Sequence, residues 1–169
     1  MKKNRIINRG FTLIELLIVI AIIAIIAAVV FVALDPLSRF QDARDSSRWS
    51  DVSALVSAIK VDQVDNGGSY LGVISTSTNA SVYMIGTCTS GATAVGITDY
   101  CDTDPEQTAC LDITSLADEG YVSSIPISPN GEGTWTSSTT GYTIEKRGNG
   151  ILFIRACESE GGDEIEIAR

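Results

Sequence analysis

The chain has 169 residues, of which 44% are hydrophobic and 20% charged, and its formal net charge is -9 at pH 7. This length allows one small globular domain beside an apolar N-terminal block, and it excludes a large multidomain enzyme. Four of the twelve basic residues lie in the first ten positions, which contain no acid, so the rest has eight basic residues against 21 acidic ones. Such an acidic surface disfavours broad contact with nucleic acid phosphates.

The first predicted element is an apolar helix over residues 13–34, which contain a single charge, Glu15. A helix of this length spans roughly 33 Å, close to the ~30 Å of the hydrocarbon core of a bilayer. Secretory signal peptides have a shorter apolar region that ends at a small-residue cleavage site. Because basic residues precede the span and none follows it immediately, the N-terminus is predicted to stay cytoplasmic and the remainder to be exported.

Glu15 is not explained by a simple membrane anchor, because an acid at the bilayer centre costs about 2.5–3.5 kcal/mol. Either it has a partner within the apolar layer, or it lies near enough to the cytoplasmic interface to reach water. Both interpretations fit a position two residues inside the span.

The residues at positions 9–15 read RGFTLIE, after a short basic leader and before the apolar run. This motif resembles the class III signal of type IV prepilins and pseudopilins. The resemblance implies that a membrane-embedded aspartyl peptidase cuts between Gly10 and Phe11 on the cytoplasmic side and methylates the new amine of Phe11. It also implies that Glu15 is the assembly glutamate of a homo-oligomeric helical filament, built on an assembly platform in the inner membrane.

The chemistry of such a cut is consistent with the residues. Gly10 has no side chain to obstruct a protease cleft, and cleavage there would leave a positive amine at the edge of the apolar helix. Pairing of that amine with Glu15 of an adjacent subunit would satisfy two groups that are costly alone in apolar surroundings. Phe11 and Glu15 are also four residues apart, so a contact within one chain is the alternative.

A second, amphipathic helix is predicted from the apolar span to about Asn66. Pro36 cannot donate the backbone hydrogen bond of a helix interior, so a bend is expected there. From Leu37 onward, apolar residues recur at mostly helical spacing, and the sequence Asn66-Gly67-Gly68 ends the helix. The apolar positions are Phe40, Ala43, Val52, Leu55, Val56 and Ile59.

Residues 69–107 are rich in Ser, Thr, Gly and Ala and are predicted to form a long loop with one strand around Tyr83-Met84-Ile85. Disulfides are predicted to hold this cysteine-containing head, since an exported domain is an oxidising context and the spacings do not match a zinc site. Three pairings of the cysteines stay open. The cysteines are Cys88, Cys101, Cys110 and Cys157.

No metal or cofactor is predicted, although Asp102, Asp104 and Glu106 place carboxylates at alternate positions and form a weak calcium candidate. The usual EF-hand pattern fails there. The acids Glu158, Glu160, Asp163 and Glu164 are interpreted as a charged surface tail. Because the sequence lacks histidine, Ser-His and Cys-His catalytic arrangements are ruled out, and an enzyme is not expected.

The C-terminal part is predicted to contain a short helix over residues 111–119, and then a hairpin of strands 142–146 and 151–157 around the turn Arg147-Gly148-Asn149-Gly150. A third strand is expected over residues 164–168. The fold class is therefore α+β: a long N-terminal helix whose C-terminal half packs against a small antiparallel sheet, like a type IV pilin.

The expected organisation is a cleaved leader (1–10), a membrane and filament-core helix (11–34), its amphipathic continuation (35–66) and a globular head (67–169). The expected function is that of a structural subunit, first in the inner membrane and then in an extracellular or periplasmic filament. A pseudopilin of a type II secretion or competence system is one alternative. A membrane-anchored extracellular binding domain that never polymerises is the alternative from another class.

Overall fold

The computed structural model describes residues 10–87, 110–131 and 134–169. The backbone divides into a first unit that ends at Arg39 and a second that comprises Phe40–Arg169. The two units are described separately below.

The first unit is dominated by helix α1, Leu13–Leu34, which confirms the predicted apolar helix. None of its side chains is buried within the chain. This helix is long and apolar enough to cross a membrane. A helix that is apolar on every side has no single face that would pack preferentially on a small head.

Helix α1 is followed by helix α2, which spans Pro36–Asp65. Asp35 adopts a left-handed conformation with φ 37°, and Pro36 is the first residue of α2. Proline is well tolerated in that first position, since the missing N–H has no helical acceptor there. The bend that the sequence predicts at Pro36 stays a prediction.

Helix α2 buries one stripe of apolar side chains in the second unit, namely Val52, Leu55, Val56 and Ile59, as the sequence predicted. Arg48 and Asp62 continue the same stripe at its two ends, and both are fully buried. Phe40 was expected on this face, but it is 63% exposed, so the apolar stripe begins later than predicted. The helix ends where predicted, with Gly67 and Gly68 both at positive φ.

Among the described residues, the sheet of the second unit has five strands: β1 (Val82–Ile85), β2 (Cys110–Leu111), β3 (Tyr142–Lys146), β4 (Leu152–Ala156) and β5 (Glu166–Ala168). Their order across the sheet is β2-β1-β3-β4-β5, and all pairs are antiparallel except β1 with β2. The predicted hairpin is confirmed as β3 and β4, with Ile144 opposite Ile154. The fold is the predicted α+β fold, with the sheet against the C-terminal part of the long helix.

One main hydrophobic core joins α2 to one face of the sheet. The side chains that share it include Leu55 and Ile59 of α2 and Tyr83, Ile144 and Ile154 of the strands. A second cluster contains Met84, Cys110 and Trp135, with Cys157 packed against it.

Three elements differ from the expected pattern. Helix α3, Gly72–Thr76, lies in the predicted loop and anchors it by burying Ile74. Residues 110–111 pair with β1, so the short helix predicted from residue 111 is shortened to α4, Ser115–Asp118. Asp112 accepts hydrogen bonds from the N–H and hydroxyl of Thr114, which keeps these residues in a turn before the helix.

Candidate functional site

The residues of the predicted cleavage motif lie at the start of α1. Gly10 and Phe11 precede the helix and are exposed. Apart from its chain neighbours, no atom of the described residues lies within 4 Å of the point where a side chain at Gly10 would begin. Thr12 is the N-cap, in an extended conformation with φ -80° and ψ 152°. The candidate scissile peptide bond is therefore outside regular structure, where a protease can bind it as an extended segment.

Thr12 and Glu15 form a reciprocal pair of hydrogen-bonding groups known as a capping box. The hydroxyl of Thr12 accepts the N–H of Glu15 at 3.3 Å. In return, Glu15 Oε2 accepts the backbone N–H of Thr12 at 2.8 Å and the Thr12 hydroxyl at 2.7 Å. The pair thus satisfies backbone N–H groups that the first turn of a helix otherwise leaves without an acceptor.

This geometry supplies a partner for Glu15 that the sequence analysis overlooked. The signal was present, since Thr12-Leu13-Ile14-Glu15 has the spacing Thr-x-x-Glu that defines a capping box. The alternative contact between Phe11 and Glu15 assumed that both lie on the helix. The structure starts the helix at Leu13, so Phe11 lies outside it and the spacing argument does not apply to this pair.

Two of the four acids in the C-terminal loop do not belong to the surface tail that the sequence suggested, whereas Asp163 and Glu164 are exposed. Glu158 and Glu160 have side chains only 11% exposed, and both pair with Arg48, whose side chain is fully buried. Arg48 Nη2 lies 2.8 Å from Glu158 and Nη1 lies 2.9 Å from Glu160. The interpretation as a free tail is wrong for these two acids because α2 presents a buried cation that requires counter-charges.

Further contacts complete the surroundings of Arg48. Its guanidinium lies 2.6 Å from Asp45 and donates hydrogen bonds to the Ser128 hydroxyl and the Pro129 carbonyl. Asp45 in turn accepts the backbone N–H groups of Glu160 and Gly161 at 2.9 and 2.7 Å. The loop that follows β4 is therefore attached to α2 through side-chain and backbone groups together.

Only some of the residues predicted to form disulfides or to bind calcium are among the described residues. Cys110 and Cys157 lie in the second cluster, and neither is a free thiol. Cys88, Cys101 and the weak calcium candidates Asp102, Asp104 and Glu106 lie outside the residues that the structure describes. The pairing of the cysteines and the calcium candidate stay predictions.

The head has a half-open cavity of about 280 Å³ beside the C-terminal ends of β1 and β2. Its lining combines apolar side chains with hydroxyl and carboxylate groups, and includes Ile85, Ile113, Ile125, Asp112, Asp118 and Ser137. Among the described residues, no group of three or more Cys, Asp or Glu side chains is placed to hold a metal ion.

Residues 7–31 match the family model of the prokaryotic N-terminal methylation motif. Neither the curated proteins nor the solved structures gave a match to the chain. The matched residues contain the RGFTLIE motif, the capping box and most of α1. Together with the long helix and the sheet that packs on its C-terminal part, this match supports a relation to type IV pilins and pseudopilins, and the matched residues contain the class III signal motif.

Proposed function

We propose that the chain is a structural subunit of a type IV pilus or a related filament. Prepilin peptidase removes residues 1–10, the amine of Phe11 is methylated, and subunits polymerise through their N-terminal helices. In the filament, Glu15 of one subunit pairs with the Phe11 amine of a neighbour. The observation that carries the proposal is the methylation motif placed directly before a helix with no buried residue.

The exposed surface of α1 supports polymerisation. Before assembly, its Ile, Val and Leu side chains have lipid as their surroundings, and afterwards they can pack on the helices of other subunits. The small residues of the helix allow close approach between helices where no water is displaced. These residues are Ala21, Ala24, Ala27, Ala28 and Ala33.

The charge of Glu15 supports a defined register between subunits. A carboxylate in an apolar filament core is costly unless a cation neutralises it, and cleavage after Gly10 creates such a cation. The amine is absent from the uncut chain, where Phe11 has an ordinary peptide N–H. Processing would therefore control when pairing can begin.

The protein would reach the filament through the inner membrane. The subunit first lies in the inner membrane with a cytoplasmic N-terminus, and an assembly platform then moves it into an extracellular or periplasmic filament. The exported head carries disulfides among Cys88, Cys101, Cys110 and Cys157. Its intact mass should increase by two hydrogens for each disulfide on reduction, and peptide mapping before reduction would give the pairing.

One experiment tests the core of the proposal. The intact mass of the cell-surface form should correspond to a chain that starts at Phe11 and carries one methyl group. A Glu15→Leu variant should still insert in the membrane and lose its leader, but should fail to enter filaments. Glu119→Gln, which removes an exposed acid of the head, is the matched control and should assemble normally.

The alternative from another class is a membrane-anchored extracellular binding domain that does not polymerise, and the cavity beside β1 favours it. This protein would keep residues 1–10, and Glu15→Leu would leave its surface amount unchanged. A surface form that starts at Met1 would therefore refute the filament proposal.

Adhesion, motility, DNA uptake and protein secretion are all functions that the proposed filament subunit could serve.

A further inference from the structure

The two oxygens of the Glu15 carboxylate have different surroundings. Both donors of Thr12, its backbone N–H and its hydroxyl, bind the same oxygen, Oε2. Within the described part of the chain, no hydrogen bond to Oε1 is formed, and this oxygen lies on an exposed side chain. Thr12 thus occupies one oxygen of the carboxylate and leaves the other open.

We propose that Thr12 is a positioning residue for assembly: it fixes Glu15 through Oε2 so that Oε1 faces the amine of the neighbouring subunit's Phe11. This inference rests on the proposed function, since it assumes the filament pairing. It adds Thr12 to the residues used in assembly, and it assigns Oε2 of Glu15 to Thr12 and Oε1 to the neighbour's amine.

Two physical effects support the assignment. A glutamate side chain has three rotatable bonds, and ordering it only at the moment of pairing would cost conformational entropy. The two hydrogen bonds from Thr12 order the Glu15 side chain before the neighbouring subunit binds, so that this entropy is not lost during pairing. They also supply polar contacts to a carboxylate that is otherwise surrounded by apolar residues, while the neighbour's amine is still absent.

The position of the cut relative to Thr12 is compatible with this role. Cleavage between Gly10 and Phe11 leaves the peptide bond between Phe11 and Thr12 intact. The N–H of Thr12 therefore remains an amide donor after processing, and the capping box does not depend on the leader. The new amine of Phe11 belongs to the residue just before the cap, which places it at the same end of the helix as Glu15.

Three substitutions separate positioning from simple capping. Thr12→Ser keeps the hydroxyl, and Thr12→Val keeps the shape but loses both hydrogen bonds of the hydroxyl. Thr12→Gly also loses the hydroxyl, but glycine is almost as good an N-cap as threonine. If Thr12 only starts the helix, the glycine variant should assemble nearly as well as the unmodified chain.

The test uses the full chain in cells that contain the processing and assembly machinery, with each variant competing against the unmodified chain for incorporation. Intact mass gives leader removal and methylation, and membrane fractionation gives insertion. We expect Thr12→Ser to be incorporated normally, and both Thr12→Val and Thr12→Gly to be processed but incorporated about 5-fold to 30-fold less.

Normal incorporation of the valine variant would overturn the assignment, and so would normal incorporation of the glycine variant. A valine variant that stays uncut would also overturn it, because the role of Thr12 would then lie in processing. Failure of the proposed function has a different signature, since Glu15→Leu would then be incorporated normally as well.

Discussion

The guanidinium of Arg48 lies 2.8 Å from the carboxylate of Glu158, which follows it by 110 residues in the chain. Arg48 is on α2, and Glu158 is in the loop after β4. The contact therefore joins the long helix to the C-terminal part of the sheet by charge, at one end of the apolar core.

Replacement of Arg48 by methionine should strongly destabilise the head. The substitution removes the buried cation that pairs with Glu158 and Glu160, although Glu160 keeps its ion pair with Arg44. Removal of one partner of a buried pair typically costs about 3–5 kcal/mol. Urea denaturation of the detergent-solubilised full chain, followed by tryptophan fluorescence, measures the change. Arg39→Met is the control, since Arg39 is exposed and has no ion pair within the described part of the chain. Equal destabilisation by both variants would contradict this role of Arg48.

The stability of the head should decrease in acid because of Glu160. The pKa of this carboxyl is lowered from 4.5 to about 2, chiefly because Arg44 donates hydrogen bonds to it; partial burial opposes this, and Arg48 lowers the pKa further. The unfolded chain takes up this proton at higher pH than the folded chain. The contribution of Glu160 is therefore complete above about pH 4.5 and is lost as the pH falls towards about 2. Urea midpoints measured across this range should show a smaller pH dependence for Glu160→Gln than for the control Glu119→Gln. An unchanged pH dependence in Glu160→Gln would refute the linkage.

Tyr142 should contribute to stability through its hydroxyl, which donates a 2.6 Å hydrogen bond to Asp51. Tyr142→Phe keeps the ring in the core but leaves Asp51 without this donor, at an expected cost of about 1–3 kcal/mol. Tyr121→Phe, which removes a longer and more exposed hydrogen bond to Asp65, should cost less and is the comparison. Thermal unfolding of the two variants provides the measurement. A larger loss in Tyr121→Phe would contradict the ranking.

The phenol of Tyr142 should also lose its proton at a higher pH than an ordinary tyrosine. Burial, with the hydrogen bond to Asp51 and its negative charge, raises the pKa of this phenol above its ordinary value of 10.0. The folded chain therefore holds the proton where the unfolded chain loses it, so this contribution to stability is present below about pH 10 and declines above it. Ultraviolet titration should show fewer tyrosines ionising near pH 10 in the folded protein than in denaturant, a difference that Tyr142→Phe reduces. Burial and the hydrogen bond to Asp65 also raise the pKa of Tyr121, so this variant keeps part of the difference. Full ionisation of all five tyrosines near that pH would contradict the expectation.

A methyl group at Gly86 should not be accommodated. The Cβ of an alanine there would lie 2.0 Å from the backbone oxygen of Ser138, so the segment after β1 or the loop around Ser138 would have to move. The expected cost of Gly86→Ala is on the order of 1–3 kcal/mol. Gly72→Ala is the control, since that position at the start of α3 has open space around it. Equal unfolding temperatures of the two variants would contradict the close approach of Gly86 to the backbone of Ser138.

The parts of the fold that the sequence could predict are those determined by nearby residues. The apolar run of α1, the stripe from Val52 to Ile59 and the hairpin around Asn149-Gly150 all have their signals within a few residues. The parallel pairing of β2 with β1 could not be predicted, because two residues of strand have no recognisable period and their partner lies 26 positions earlier, as in Met84 with Cys110.

In the candidate site, too, the residues of a local motif could be predicted, whereas contacts between distant parts of the chain could not. Gly10, Phe11 and Glu15 were identified by a local motif, and the family match covers them. Thr12 was also within reach, since its spacing to Glu15 is that of a capping box. The partners of Arg48 were not, because a buried cation on a helix can take its counter-charges from any acid that the fold brings close.

The attachment of the C-terminal loop to α2 has a mechanical consequence. Arg44, Asp45 and Arg48 precede the apolar stripe in the direction of the chain, so tension applied at the N-terminal side of this part of α2 meets the ion pairs before the core. Charged contacts act over a longer distance than the close packing of apolar side chains, and they can re-form after a small displacement. In a subunit under tension, the ion pairs between α2 and the C-terminal loop would therefore separate first and could form again, while the apolar core of the head remains packed.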